Sequence, residues 1–147
     1  MTLRAFRVLF VLWAGSLWSL AAWVAITLFH MLGNVSLAGP IAARLFGIET
    51  YLGLAVAVFA LALPSRYRLG ALYAAAALLA VNEWILKPVM ASALAEGRAL
   101  GLGFGAWHGV SALLYLGACL CALAVVWLEP YRPAASPIEP GASAIEQ

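Results

Sequence analysis

His30, Glu83, Lys87, His108 and Ser111 are the side chains in this 147-residue chain whose types and spacing could do chemistry. Glu83 and Lys87 are four apart with the acid first, the order that favours an ion pair along one helix face. His108 and Ser111 are three apart, so on a helix they share a face and could relay a proton or hold a ligand. The two histidines lie in different apolar stretches, which admits bis-imidazole haem ligation. A metal held by His30, His108 and Glu83 is a weaker possibility, because no Glu-x-x-His spacing accompanies them. Each group also has a structural reading: a helix–helix hydrogen bond for His108 and Ser111, a structural ion pair for Glu83 and Lys87, a solvated end for His30. Such polar bonds average only about 0.6 kcal/mol between membrane helices. Glue alone is therefore a modest reason to keep two histidines, a lysine and a glutamate. Ser111 is a poor nucleophile, since its nearest base is on its own helix and no oxyanion nest is evident.

The elements that position these groups must sit in lipid. The chain is 66% hydrophobic and 10% charged, with mean hydropathy +1.01, against about half apolar and a quarter charged in soluble domains. A chain this short cannot hide that excess in one core. The net charge of +2, with scattered basic residues, excludes a nucleic-acid footprint. Cys119 and Cys121 are two apart in one apolar run, so they diverge on a helix and read as small packing residues, not a disulfide.

Four stretches reach the roughly 20 apolar residues that a transmembrane helix needs: about 8–31, 46–63, 69–94 and 104–128. The second could begin as early as Pro40, which suits a first helical position. The fold expected is an all-α, integral membrane four-helix bundle over residues 1–128. The proline- and alanine-rich segment 129–147 reads as a disordered tail. The first span is too long for a cleaved signal and ends on no small-x-small site. Arg4, Arg7, Arg66, Arg68 and Arg132 fall on one side of the spans. Arg44 and Arg98 fall on the other, offset by Glu49 and Glu96, so both termini are expected in the cytoplasm.

At 100° per residue, Ser16, Ser19, Trp23, Thr27 and His30 form one stripe on span one. Tyr73, Ala76, Ala80, Glu83, Lys87 and Met90 form a stripe on span three, and Gly101, Gly105, His108, Ala112, Tyr115 and Cys119 one on span four. Lipid is the wrong surroundings for such faces, so they are expected to point inward. His108 falls about 6 Å below the outer start of span four, and Lys87 roughly 10 Å from the outer end of span three. His30, Lys87, His108 and Ser111 then converge on the outer half, with Glu83 near the middle, as a polar pocket with His30 at its mouth. Pro88 cannot donate to the carbonyl of Trp84, so span three should kink there. Asn82 points about 120° from the Glu83–Lys87 stripe, toward another helix or protomer. Gly101, Gly105 and Gly109 make a GxxxGxxxG stripe suited to close helix packing and dimer contact.

"VNEWILKPVM", "LAGPIAARLFGIETYLG" and "FGAWHGVSALLYLG" together resemble the transmembrane-protein-205-like family, and the likeness covers nearly everything before the tail. The pattern pairs Asn-x5-Pro in span three, here Asn82 and Pro88, with Phe-x3-His-Gly-x-Ser opening span four, here Phe104, His108, Gly109 and Ser111. Where that pattern has an asparagine one helix face on from the histidine, this chain has Tyr115. The resemblance implies a four-span membrane protein, placed in the bacterial inner membrane, and no particular reaction. The expected role is non-enzymatic: a polar intramembrane pocket for a small ligand, a proton or a partner helix. The alternative is a haem- or metal-binding redox protein, although no cofactor is favoured. Lipid is the expected surrounding and a homodimer through the glycine face a possible assembly.

Overall fold

The computed structural model describes residues 2–63 and 69–128, which form four helices in up-down order with no β-strand among them. Helix α1 runs through Thr2–Ser19, a π turn at Leu20–Val24 and on through Ala25–Leu32. Helix α2 is Val35–Ala60. Helix α3 runs through Gly70–Val81, a π turn at Asn82–Leu86 and Lys87–Glu96. Helix α4 is Phe104–Leu128. All four are long and apolar enough to cross a membrane. This is the all-α four-helix membrane bundle expected from the sequence. Arg66, Tyr67 and Arg68, and the tail 129–147, lie outside the described residues.

The second helix starts about three turns before Phe46. "GNVSLAGP" has a loop's composition, yet only Gly33 and Asn34 make the corner. Gly33 caps α1 in the left-handed conformation at φ 58° and donates to the carbonyl of Phe29, a conformation that costs glycine little. The Asn34 carbonyl then accepts from Leu37 and Ala38, at 3.2 and 3.0 Å. Pro40 lies inside α2 rather than at its start, as membrane helices tolerate. Glu49 consequently sits near the middle of a helix rather than close to an outer loop.

Around Pro88 the helix takes a specific local form. Pro88 lacks the N–H that the Trp84 carbonyl would accept, and the turn just before it widens. Over Asn82–Leu86 the Lys87 N–H reaches the carbonyl of Asn82, five residues back. Between α3 and α4 the chain reverses at Leu100 and Gly101, with φ 49° and 81°, the positive pair a type I′ turn demands. Ala99 and Leu102 exchange both main-chain hydrogen bonds, and Trp107 Nε1 donates to the Ala99 carbonyl at 2.9 Å. Gly101 therefore belongs to this hairpin and not to the helical glycine stripe. Gly105 and Gly109 are on α4, exposed, with open space where a Cβ would stand.

The core lies in the half of the bundle nearer the chain termini. Phe6, Phe10, Trp13, Leu17 and Leu20, spaced four, three, four and three, form the buried stripe of α1. They meet Val56, Ala57 and Ala60 of α2, Leu72, Ala75, Ala76 and Leu79 of α3, and Ala118, Cys119, Ala122 and Val125 of α4. Antiparallel register shows in the contacts of α1 with α2: Phe6 stacks on Phe59, Trp13 lies on Gly53, and Ser16 meets Glu49. The polar stripe expected to point inward on α1 does not. Ser16 is half-buried, but Ser19, Thr27 and His30 are exposed and Trp23 is 74% exposed. The aromatic and leucine stripe takes the inner face, and beyond the π turn the segment Ala25–Leu32 buries no residue.

Among the described glycines, Gly53 has the least room for a side chain. A Cβ there would stand 2.7 Å from Cζ2 of Trp13, a rigid and buried indole. Gly53→Ala is expected to lower stability by about 1–3 kcal/mol through overpacking. Gly105→Ala, with open space around it, should leave stability unchanged or slightly raised. Thermal unfolding in detergent, followed by circular dichroism, distinguishes the two.

Candidate functional site

Polar side chains near the middle of the four helices pair across neighbouring helices. On α3, Glu83 is the central residue of Gly70–Glu96, and it forms an ion pair with Lys87 one turn on. The Glu83 carboxylate lies against Gly47 of α2, where a Cβ would stand 3.3 Å from Oε1. The absence of a side chain at Gly47 thus lets a carboxylate pack directly on the neighbouring helix. Glu83 is 14% exposed and Lys87 43% exposed at the side chain, so the acid of the pair is the more covered partner and the lysine the more open one.

Asn82 and Ser111 join α3 to α4. Ser111 Oγ donates to Asn82 Oδ1 at 2.7 Å, and Asn82 Nδ2 reaches the Ser111 carbonyl at 3.4 Å. The expectation that Asn82 reaches another helix is met by this reciprocal clamp. Ser111 spends its proton on Asn82, so it is not paired with His108. His108 is exposed, with its ring stacked on Phe104 at 5.8 Å between centroids. His30 is exposed near the C-terminal end of α1. The structure brings Glu83 to Lys87 and Ser111 to Asn82, but leaves both histidines on the surface of the bundle. Among the described residues no three His, Cys, Asp or Glu side chains gather as a metal site requires, and Cys119 and Cys121 are free thiols.

Sequence reasoning missed a second cluster, centred on Glu49. This carboxylate is 7% exposed, in the middle of α2. Ser16 Oγ lies 3.2 Å from its Oε2 and 2.8 Å from the Trp13 carbonyl. Trp13 Nε1 donates to the Glu49 main-chain carbonyl at 3.2 Å. Thr50, also buried, donates to the Phe46 carbonyl at 3.1 Å. Tyr115 crosses from α4 to donate to the Leu17 carbonyl at 3.2 Å, its ring edge-on to Phe46 at 4.7 Å. Glu49 reads from sequence as the counter-charge of Arg44 near an outer loop. The signal that could have found it was available: Glu49 lies seven residues from both Ala42 and Val56, so it shares their buried face once α2 is extended back past Pro40.

A separate apolar groove of about 440 Å³ lies along the C-terminal part of α1, lined by Trp23, Val24, Thr27, Leu28, Met31 and Leu32. It holds none of the groups above.

Four apolar helices joined by a mid-height layer of hydrogen bonds define a multi-pass membrane helix bundle. Residues 8–99 match the model of the family described as Domain of unknown function (DUF4149), and the chain belongs to that family. The match spans most of α1, all of α2 and α3, and hence Glu49, Asn82, Glu83 and Lys87. His108, Ser111 and Tyr115 lie beyond it. No curated protein and no solved structure matches the chain.

The Asn82–Ser111 clamp can be weighed directly. A double-mutant cycle with Asn82→Ala and Ser111→Ala should give a coupling of about 0.6 kcal/mol and at most about 1.7, the range for interhelical hydrogen bonds in membranes. Unfolding free energies in detergent supply the four corners. Additive losses would show that the two side chains do not act as a pair.

Proposed function

We propose that this is a non-enzymatic inner-membrane protein of bacteria that receives a small polar ligand or a partner helix at the Glu83–Lys87 pair. The observation that carries this reading is the Lys87 side chain, 43% exposed beside the central carboxylate of α3. A charged group near the middle of a bilayer is costly, and intramembrane charges generally face partners, cavities or pathways. The Glu83 carboxylate offsets part of the charge. The remaining donor capacity of Lys87 is directed to a group outside this chain. His108, Ser111 and His30 lie toward the outer side on this reading and would form the approach to the pair. The resemblance to the transmembrane-protein-205-like family, which implies no reaction, is in keeping with a binding role.

The orientation follows from the arginines: Arg4 and Arg7 on one side, Arg44 and Arg98 balanced by acids on the other, with both termini cytoplasmic. Gly105 and Gly109, open on α4, are the helix surface on which a second copy could pack closely.

Native mass spectrometry of protein released from its own membranes tests the reading. Wild type should carry a bound small molecule or a second copy, and the neutral double variant Glu83→Gln/Lys87→Met should lose it. The same mass for a bare monomer in both proteins would refute the proposal. In intact cells, a cysteine placed at Arg98 should react with a membrane-impermeant thiol reagent. Reaction only after lysis would reverse the orientation.

A further inference from the structure

We propose that Glu49 is an intramembrane proton-binding site, its carboxyl carrying a proton that it donates to Ser16 Oγ. The proposal rests on an inventory of donors. Apart from the weakly donating Cys119 thiol, four side chains around Glu49 carry one N–H or O–H proton each: Trp13, Ser16, Thr50 and Tyr115. Trp13 Nε1 is committed to the Glu49 main-chain carbonyl, Thr50 to that of Phe46 and Tyr115 to that of Leu17. Ser16 Oγ sits closer to the Trp13 carbonyl, at 2.8 Å, than to Glu49 Oε2, at 3.2 Å. With its only proton on the Trp13 carbonyl, Ser16 turns lone pairs toward Glu49. Two acceptors would then face each other at 3.2 Å, unless the carboxyl brings the missing proton itself.

The charges around Glu49 supply no substitute. Among the described residues its carboxylate has no cationic partner. Helix α1 presents Trp13 and Ser16, and α4 presents Tyr115 and Cys119 within electrostatic reach. From α3 the Glu83–Lys87 pair packs on Gly47, about 200° around α2 from Glu49, and Lys87 is already paired. Arg44 on α2 itself is exposed. An unpaired carboxylate in a dry interior is among the least tolerable buried groups, and protonation relieves it. The step is one proton taken from water, converting –COO⁻ to –COOH, with no other bond changed.

This site faces α1 and is independent of the ligand reading at Glu83 and Lys87, which remain unaltered in every variant below. The full chain is placed in lipid nanodiscs at neutral pH, and infrared difference spectra are taken between wild type and Glu49→Gln. Gln keeps the shape and can donate to Ser16 Oγ, so the variant should fold. The expected difference is the C=O stretch of a protonated carboxylic acid, shifted by deuterium exchange, present in wild type and absent in Glu49→Gln. Ser16→Ala removes the acceptor, so it should keep that band but raise its frequency. This second variant carries the test should Glu49→Gln not fold. A difference spectrum with only carboxylate bands, or an acid band that Ser16→Ala leaves unmoved, would overturn the assignment.

Discussion

A lipid interior offers no water, so every polar group placed there must find its partner within the protein. In this bundle the side-chain hydrogen bonds between helices lie near one level, the middle, where side chains close onto main-chain carbonyls or onto one another. Trp13 and Ser16 tie α1 to α2 at Glu49. Tyr115 ties α4 to α1 at Leu17, Asn82 and Ser111 tie α3 to α4, and Glu83 rests on Gly47 of α2. The four helices are thus joined pairwise in a circuit. Since the alternative to each bond is an unsatisfied polar group in hydrocarbon, modest individual strengths still specify one register.

The layer divides the molecule into unlike halves. Toward the termini, phenylalanine, leucine and alanine side chains interlock around Trp13 and Leu17. Toward the other end the helices carry few buried side chains: none on Ala25–Leu32, and only Ala93 on Lys87–Glu96. Both π turns begin near this level, at Leu20–Val24 and Asn82–Leu86. In α3 the wider turn follows from Pro88, and it opens with Asn82, the residue that clamps α4. One backbone adjustment therefore accommodates the proline and accompanies the principal polar contact between α3 and α4.

The helical class, the four spans and the Glu83–Lys87 pair were legible in the sequence, because long apolar runs and an i, i+4 acid–base order have one dominant meaning in lipid. Asn82 was legible as a cross-link by its angle on the helix, although its partner was not. The inward stripe on α1 was misread because two stripes competed there. Serine and threonine marked one face, while the larger apolar surface of Phe6, Phe10, Trp13, Leu17 and Leu20 claimed the interior. Glu49 was hidden by the corner: a glycine and an asparagine were enough to reverse the chain, so residues that read as a loop became two turns of helix. That shift moved the midpoint of α2 toward Glu49 and turned a loop counter-charge into a buried carboxylate.

The depth of α2 in the bilayer tests the mid-membrane layer most directly. Nitroxide labels at the exposed positions Arg44, Ile48, Tyr51, Leu52 and Ala55, read by electron paramagnetic resonance in lipid vesicles, compare collisions with dissolved oxygen and with a water-soluble nickel chelate. A helix spanning Val35–Ala60 places the greatest depth at Ile48, beside Glu49. A maximum displaced to Ala55, with Ile48 reached by the nickel chelate, would put Glu49 at the membrane surface and contradict the layer around which the four helices are arranged.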